Sequence, residues 1–157
     1  MKTLEDIPVT VRAAVRRPAD ELRAALRDVL THLAQSRTLA LTVDLPPELQ
    51  TPVEIALSVP AQLKVQDEAS GQFSLRIAAA GRQYRSFPAF WGVLEVAPSQ
   101  KDCAVVTLRG AYTLPERGIA RNLDRTFLRR AAHSSVRQFL EIVIQETARE
   151  KLMRPYR

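Results

Sequence analysis

Cysteine is almost missing from this 157-residue chain: Cys103 stands alone, so no disulfide can form within it. Histidine is nearly as scarce. His32 and His133 are not at ligand spacing and neither HExxH nor CxxC occurs, which argues against zinc and leaves no metal to expect. The five glycines are scattered singly and make no phosphate-cradling loop or dinucleotide fingerprint, so no cofactor is implied. No serine sits in a GxSxG elbow, and no Ser/His/Asp order suggests a triad. Apolar runs stay well short of the ~20 residues that a membrane helix requires. Near the start, Glu5, Asp6, Arg12, Arg16 and Arg17 leave no apolar signal core. One thiol with neither leader nor span points to a soluble protein of the reducing cytoplasm.

What is present is charge, unevenly placed, and a regular alternation of apolar residues. Residues 1–108 hold 12 Lys/Arg and 12 Asp/Glu, whereas residues 109–157 hold 11 against 5 and carry the whole net charge of +6. A basic end attracts acidic lipid, nucleic acid or an acidic partner, or is a solvated surface in a chain that uses Arg far more than Lys. Arg117, Arg121, Arg125, Arg129, His133 and Arg137 recur every four residues, a spacing at which like charges on a helix repel. No aromatic residues interleave with them as single-strand binders require, which argues against nucleic acid and leaves weak contact with an acidic membrane open.

Period-two alternation marks seven strands. Ile7, Val9, Val11, Ala13 and Val15 share one face of the first, and Leu39, Leu41, Val43 and Leu45 one face of the second. Val53, Ile55, Leu57 and Val59 follow, then a short strand with Leu63 and Val65 after Pro60. Phe73 to Ala79, Phe90 to Val96 and Ala104 to Leu114 complete the set. Polar residues on the second face describe antiparallel strands that are half-buried on a core. Two stretches have helical period. Leu22, Leu26, Val29, Leu30 and Leu33 form one stripe, with Asp20 and Glu21 favourably near its start and His32 near its end. Leu128, Ala132, Ser135, Val136, Phe139, Leu140, Val143 and Thr147 form a second, longer one. Because Ile119, Leu123 and Phe127 point away from that stripe, the long helix is expected to begin near Asn122 to Asp124, with Pro115 to Arg121 a connecting loop. The order strand, helix, six strands, long helix defines an α+β fold. With no repeat, linker or low-complexity segment, residues 1–157 read as one domain, long enough to bury roughly 70% of its unfolded surface.

Two stretches, "FPAFWGVLEV" from Phe87 to Val96 and "VVTLRGAYTLPERGIARNLDRTFLRRAAHSSVRQFL" from Val105 to Leu140, resemble the START-like, or helix-grip (SRPBCC), superfamily. Its members include lipid-transfer START domains, polyketide cyclases and the major birch-pollen allergen. Gly110, Gly118, Tyr112 and Pro115 stand where bacterial members turn from the last strand into the final helix. The resemblance implies a curved, seven-stranded antiparallel sheet wrapped around the C-terminal helix, often around an apolar cavity. It implies no single activity.

The candidate interior follows from strand parity. Asp44, Glu54 and Glu95 fall on polar faces, as do Arg12, Arg76 and Arg109, so no strand carboxylate enters the core. Gly92 and Gly110 lie on apolar faces, and Ala131, Ala132, Ser134 and Ser135 thin the long helix. Glycine in a strand permits the curvature a gripping sheet needs. Small residues on both elements either let helix and sheet pack closely or leave room for a ligand, and the resemblance tips the expectation to a cavity. Its candidate lining is Phe90, Leu108, Tyr112, Ala132, Ser135 and Phe139, which suits an apolar, lipid-like or aromatic small molecule. Three functions compete: binding without catalysis, a small cyclase- or hydrolase-like enzyme using Tyr112, and an interaction module using the basic C-terminal region and Trp91. Trp91 has the outward parity of Glu95 and marks either a homodimer contact or a ring covered by Arg side chains.

Overall fold

In the computed structural model, residues 6–35, 39–43, 57–67, 71–79, 89–113 and 125–153 are described. Alternation produces strands where it was read. β1 (Asp6–Val15) buries Ile7, Val9 and Val11 and exposes the residues between them. β4 (Phe73–Ala79), β5 (Ala89–Pro98) and β6 (Ala104–Thr113) bury Phe73, Leu75 and Ile77, then Phe90, Leu94 and Val96, then Ala104, Val106 and Leu108, with mostly half-buried residues between them. β2 (Leu39–Val43) and β3 (Leu57–Asp67) complete an antiparallel sheet of order β1-β6-β5-β4-β3-β2.

The expected seven strands are six among the described residues. Val59 and Leu63, assigned above to separate strands either side of Pro60, belong to the one strand β3. Pro60 pairs with Ala40 of β2 but precedes the first β3–β4 pair, Ala61 with Ala79. The described register thus gives β3 a neighbour on one side only at that level, where a missing N–H is tolerated. Leu45, Val53, Ile55, Leu114 and the expected loop Pro115–Arg121 lie outside the described residues.

Two helices cover one face. α1 (Ala19–Gln35) carries the chain from β1 at one edge to β2 at the other and buries Leu22, Leu26, Val29 and Leu30. Its stripe is the one read from the sequence. α2 (Arg125–Met153) starts directly after the expected capping segment and buries Ser135, Val136, Phe139, Leu140, Val143 and Thr147. His133, Arg137, Glu141, Gln145 and Arg149 are exposed on it.

The contacts of α2 set the curvature. It approaches both edge strands, β1 and β2, as well as β6 and α1, while β4 and β5 stand further from its backbone. Six strands about 4.8 Å apart spread over roughly 24 Å, more than twice the ~10 Å width of a helix. Touching both edges while clearing the middle requires a sheet bowed away from the helix. Phe73, Phe90, Phe139 and Leu75 fill the interior so formed.

Two arginines fasten this arrangement. Arg17, in the β1–α1 turn, pairs with Glu21 at 3.0 Å and donates to the Thr147 carbonyl of α2 at 3.4 Å. Arg23 donates to Asp20 and, at 3.2 Å, to the Val96 carbonyl at the end of β5. The Arg23 Nε lies 3.2 Å from where a Cβ on Gly71 would stand, and Gly71 itself adopts φ of 77°. Gly71→Ala therefore combines a left-handed backbone with a crowded side chain. It should lower unfolding stability by about 1–2 kcal/mol, as read from the midpoint of a urea melt at unchanged slope.

Candidate functional site

The alternation of β5 and β6 places Phe90, Gly92, Leu108, Gly110 and Tyr112 on the concave face, and the register brings them opposite one another. Phe90 pairs with Tyr112, Gly92 with Gly110, and Leu94 with Leu108. The Phe90 and Tyr112 rings lie with centroids 5.4 Å apart and planes tilted by 56°. From α2, the Ser135 side chain shares a hydrogen bond with the Tyr112 hydroxyl. Phe139, one turn further along α2, belongs to the same buried cluster as Phe90 and Leu108, with Tyr112 packed against it. Five of the six candidate lining residues thus belong to or border one interior. Ala132 lies within α2, with its side chain outside the described ones.

The glycine pair is the structural centre of this interior. A Cβ on Gly92 would stand 2.6 Å from Phe90 Cζ and 2.7 Å from Cε1, so the phenyl ring of Phe90 lies over its own i+2 neighbour. A Cβ on Gly110 would collide with the Trp91 carbonyl oxygen, lie 2.6 Å from the Gly92 Cα and meet the same ring at 2.8 Å. At this pair the sheet wall has no side chains, and the recess left by their absence is filled by Phe90, which is fully buried. Sequence parity placed these residues on the right face but could not give the ring's direction. A signal existed in the aromatic residue two positions before a strand glycine, since aromatic side chains commonly cover sheet glycines.

Electrostatically the interior is nearly empty. Among the described residues the buried polar side chains are Ser135 and Thr147, and the Thr147 hydroxyl is spent on the Ile144 carbonyl at 2.6 Å. Burial raises the Tyr112 phenol above its ordinary pKa, because the phenolate would lose hydration, and the Ser135 hydrogen bond only partly opposes this. Tyr112 is therefore a neutral hydroxyl at physiological pH, able to donate or accept a hydrogen bond but not to act as a resident base. Glu95 accepts from Arg109 at 3.0 Å and from Gln72 at 2.7 Å on the opposite face, as its parity required. No group of three His, Cys, Asp or Glu among the described residues could hold a metal ion, and no helix among them is long and apolar enough to cross a membrane. Cys103 is half-buried in the β5–β6 turn.

Trp91 faces outward and is 55% exposed. The Arg76 guanidinium stacks over its ring at 4.9 Å from the centroid, so the arginine cover offered above as one of two readings is present. Of the basic series, His133 and Arg137 are exposed on α2. Arg125 and Arg129 lie within that helix with undescribed side chains, and Arg117 and Arg121 fall outside the described residues. A cleft of about 210 Å³ also opens between α1 and the β3–β4 hairpin, lined by Arg27, Thr31, Ala34, Gln35, Val65 and Phe73. It is smaller than the roughly 300–1,000 Å³ usual for ligand pockets.

No family model matches the chain, and none of the curated proteins is similar to it in sequence. Its fold is well represented among solved structures. The ZhuI aromatase/cyclase from a Streptomyces species is 14% identical, with 92% of this chain and 95% of that one covered at a TM-score of 0.56. A START superfamily protein from Mycobacterium smegmatis is 11% identical, with 94% and 99% covered at 0.52. A norcoclaurine synthase from Thalictrum flavum, in complex with a transition-state analogue, is 13% identical, with 96% and 99% covered at 0.50. At such identities the likeness is one of fold. The chain has the START-like, helix-grip fold that its sequence resembled, an antiparallel sheet closed on a C-terminal helix.

Two outcomes check this geometry. Gly110→Ala should cost about 3 kcal/mol in chemical unfolding, more than Gly92→Ala, because the new methyl collides with backbone at position 110, whereas at position 92 its closest contact is a movable ring and the backbone lies at 3.0 Å. The second concerns pH. With its folded pKa above the unfolded value of about 10, Tyr112 contributes stability that is fully present below pH 10 and is lost as pH rises through the folded value. Tyr112→Phe should therefore flatten the alkaline decline of the melting temperature while leaving its slope at lower pH unchanged.

Proposed function

We propose that this chain, as one domain over residues 1–157, binds an apolar or lipid-like small molecule between the concave sheet and α2, without catalysing a reaction. The observation that carries this reading is the Tyr112–Ser135 hydrogen bond beside Phe90. It is a single polar pair joining sheet to helix in an interior whose other described lining residues, Phe90, Leu108 and Phe139, are apolar. Such a lining, apolar with a few placed polar groups, is how small-molecule sites usually combine affinity with orientation. Two neutral hydroxyls would receive a neutral oxygen of a ligand, an alcohol, ketone or ester. A carboxylate would meet no compensating charge there among the described residues, and burying it unpaired would be costly. The fold supports the reading by likeness, since proteins named as START and as aromatase/cyclase share it.

The enzyme reading has less support. Among the described residues no carboxylate or histidine is buried, which leaves Tyr112 as the one titratable group facing this interior, held neutral. The apolar ligand and the lining residues are tested together by native mass spectrometry of protein purified without detergent. A co-purifying neutral apolar molecule is expected, lost or reduced at least severalfold in Tyr112→Phe/Ser135→Ala. A protein that carries no ligand and does not take up decanol when offered it, or that takes up decanoate in preference to decanol, would refute the reading.

A further inference from the structure

The side chain closest to the glycine pair, at both of its members, is Phe90. The wall beneath Phe90 consists of the Gly92 and Gly110 backbones, and the nearest atoms to a Cβ at Gly92 are Cζ and Cε1 of that ring. The ring adjoins Tyr112, whose hydroxyl is the sheet's half of the polar pair. A molecule seated against Tyr112 and Ser135 from the concave side must find room beside them, and Leu108, Phe139 and Val136 are all fully or almost fully buried. Leu108 and Phe139 pack in the body of the core. Phe90 is the side chain that stands over the glycine floor among the nearest atoms there, so turning it about its first side-chain bond vacates a space with a shape already fixed by backbone.

We infer that the Phe90 ring is a displaceable plug, an internal placeholder in the seat of the ligand's apolar body, and that it sets both access to the site and the size of the group accepted. This rests on the binding function proposed above and specifies how that site is regulated. Two states follow, one with the ring on the glycine pair and one with the ring turned aside and the ligand on the floor. Binding then bears the cost of unseating the ring. A protein whose competent state is populated a tenth of the time shows an affinity reduced about tenfold, and removing the plug recovers that factor. The recess also gives the glycines separate roles. A methyl at position 92 would narrow the floor itself, whether or not Phe90 is present.

The test uses the uncharged naphthyl ketone prodan, titrated by fluorescence into the full chain. Phe90→Ala should bind prodan about tenfold more tightly than the wild type. Adding Gly92→Ala to that variant should take most of the gain away. Phe90→Leu, a milder change that protects against loss of folding, should fall between the wild type and Phe90→Ala. Far-ultraviolet circular dichroism confirms that each variant is folded. Equal affinity for the wild type and both Phe90 variants would overturn the plug while leaving the binding function standing, with its seat elsewhere. A gain in Phe90→Ala that Gly92→Ala does not reduce would likewise overturn the assignment of the seat to the glycine floor. Absence of binding by every form, decanol included, would remove the binding function as well.

Discussion

The contact between the Phe90 ring and the paired glycines of β5 and β6 governs how this sheet can close on its helix. Where Gly92 faces Gly110, the strands approach so closely that a Cβ at 110 would strike the backbone of the neighbouring strand. Only glycine allows that approach, and only a large flat side chain covers the bare peptides it leaves. Phe90 does so from within the same strand. Its ring packs beside that of Tyr112, whose hydroxyl shares a hydrogen bond with Ser135 of α2. Strand geometry, core filling and the sheet–helix hydrogen bond thus meet at a single pair of residues without side chains.

The rest of the fold holds α2 over that point. The helix reaches both edges of the sheet, and Arg17 ties the β1–α1 turn to the Thr147 carbonyl well along its length. Arg23 fastens α1 to the end of β5. The ion pairs themselves are exposed on at least one side and contribute little each. Their value lies in position, because the Arg17 guanidinium also reaches a backbone carbonyl of another element. Burial of Val136, Phe139, Leu140 and Val143, each worth about 1.5–3 kcal/mol relative to exposure, supplies the force that these contacts direct.

Much of this was legible in the sequence, for definite reasons. A period of two gave the face of Phe73, Phe90, Leu108 and Tyr112, and correctly sent Glu95, Arg76, Arg109 and Trp91 to the other side. A period of 3.6 gave the buried stripes of α1 and α2, and the phase break at Phe127 placed the start of α2 to within a few residues. Pro60 misled, because a proline reads as a strand break whereas here it sits inside β3, one residue before the first described pair with β4. The cavity question was less legible. Alternation fixes a side chain's face but not its rotamer, so small residues at 92 and 110 were compatible with space or with close packing, and it was the resemblance that tipped the expectation to a cavity. The structure fills the hollow at that pair with Phe90. The Tyr112–Ser135 bond joins residues far apart in the chain, and its two members were legible singly but not as partners.

The most direct measurement is the stability coupling between positions 90 and 92, from urea unfolding of the wild type, Phe90→Ala, Gly92→Ala and the double variant. If the ring is seated on Gly92, the added methyl should cost at least about 1 kcal/mol more in the wild type than in the Phe90→Ala background, where only the Arg109 carbonyl oxygen, 3.0 Å from the new Cβ, still crowds it. An equal cost for Gly92→Ala in both backgrounds would contradict the contact on which the filled floor and the plugged recess depend.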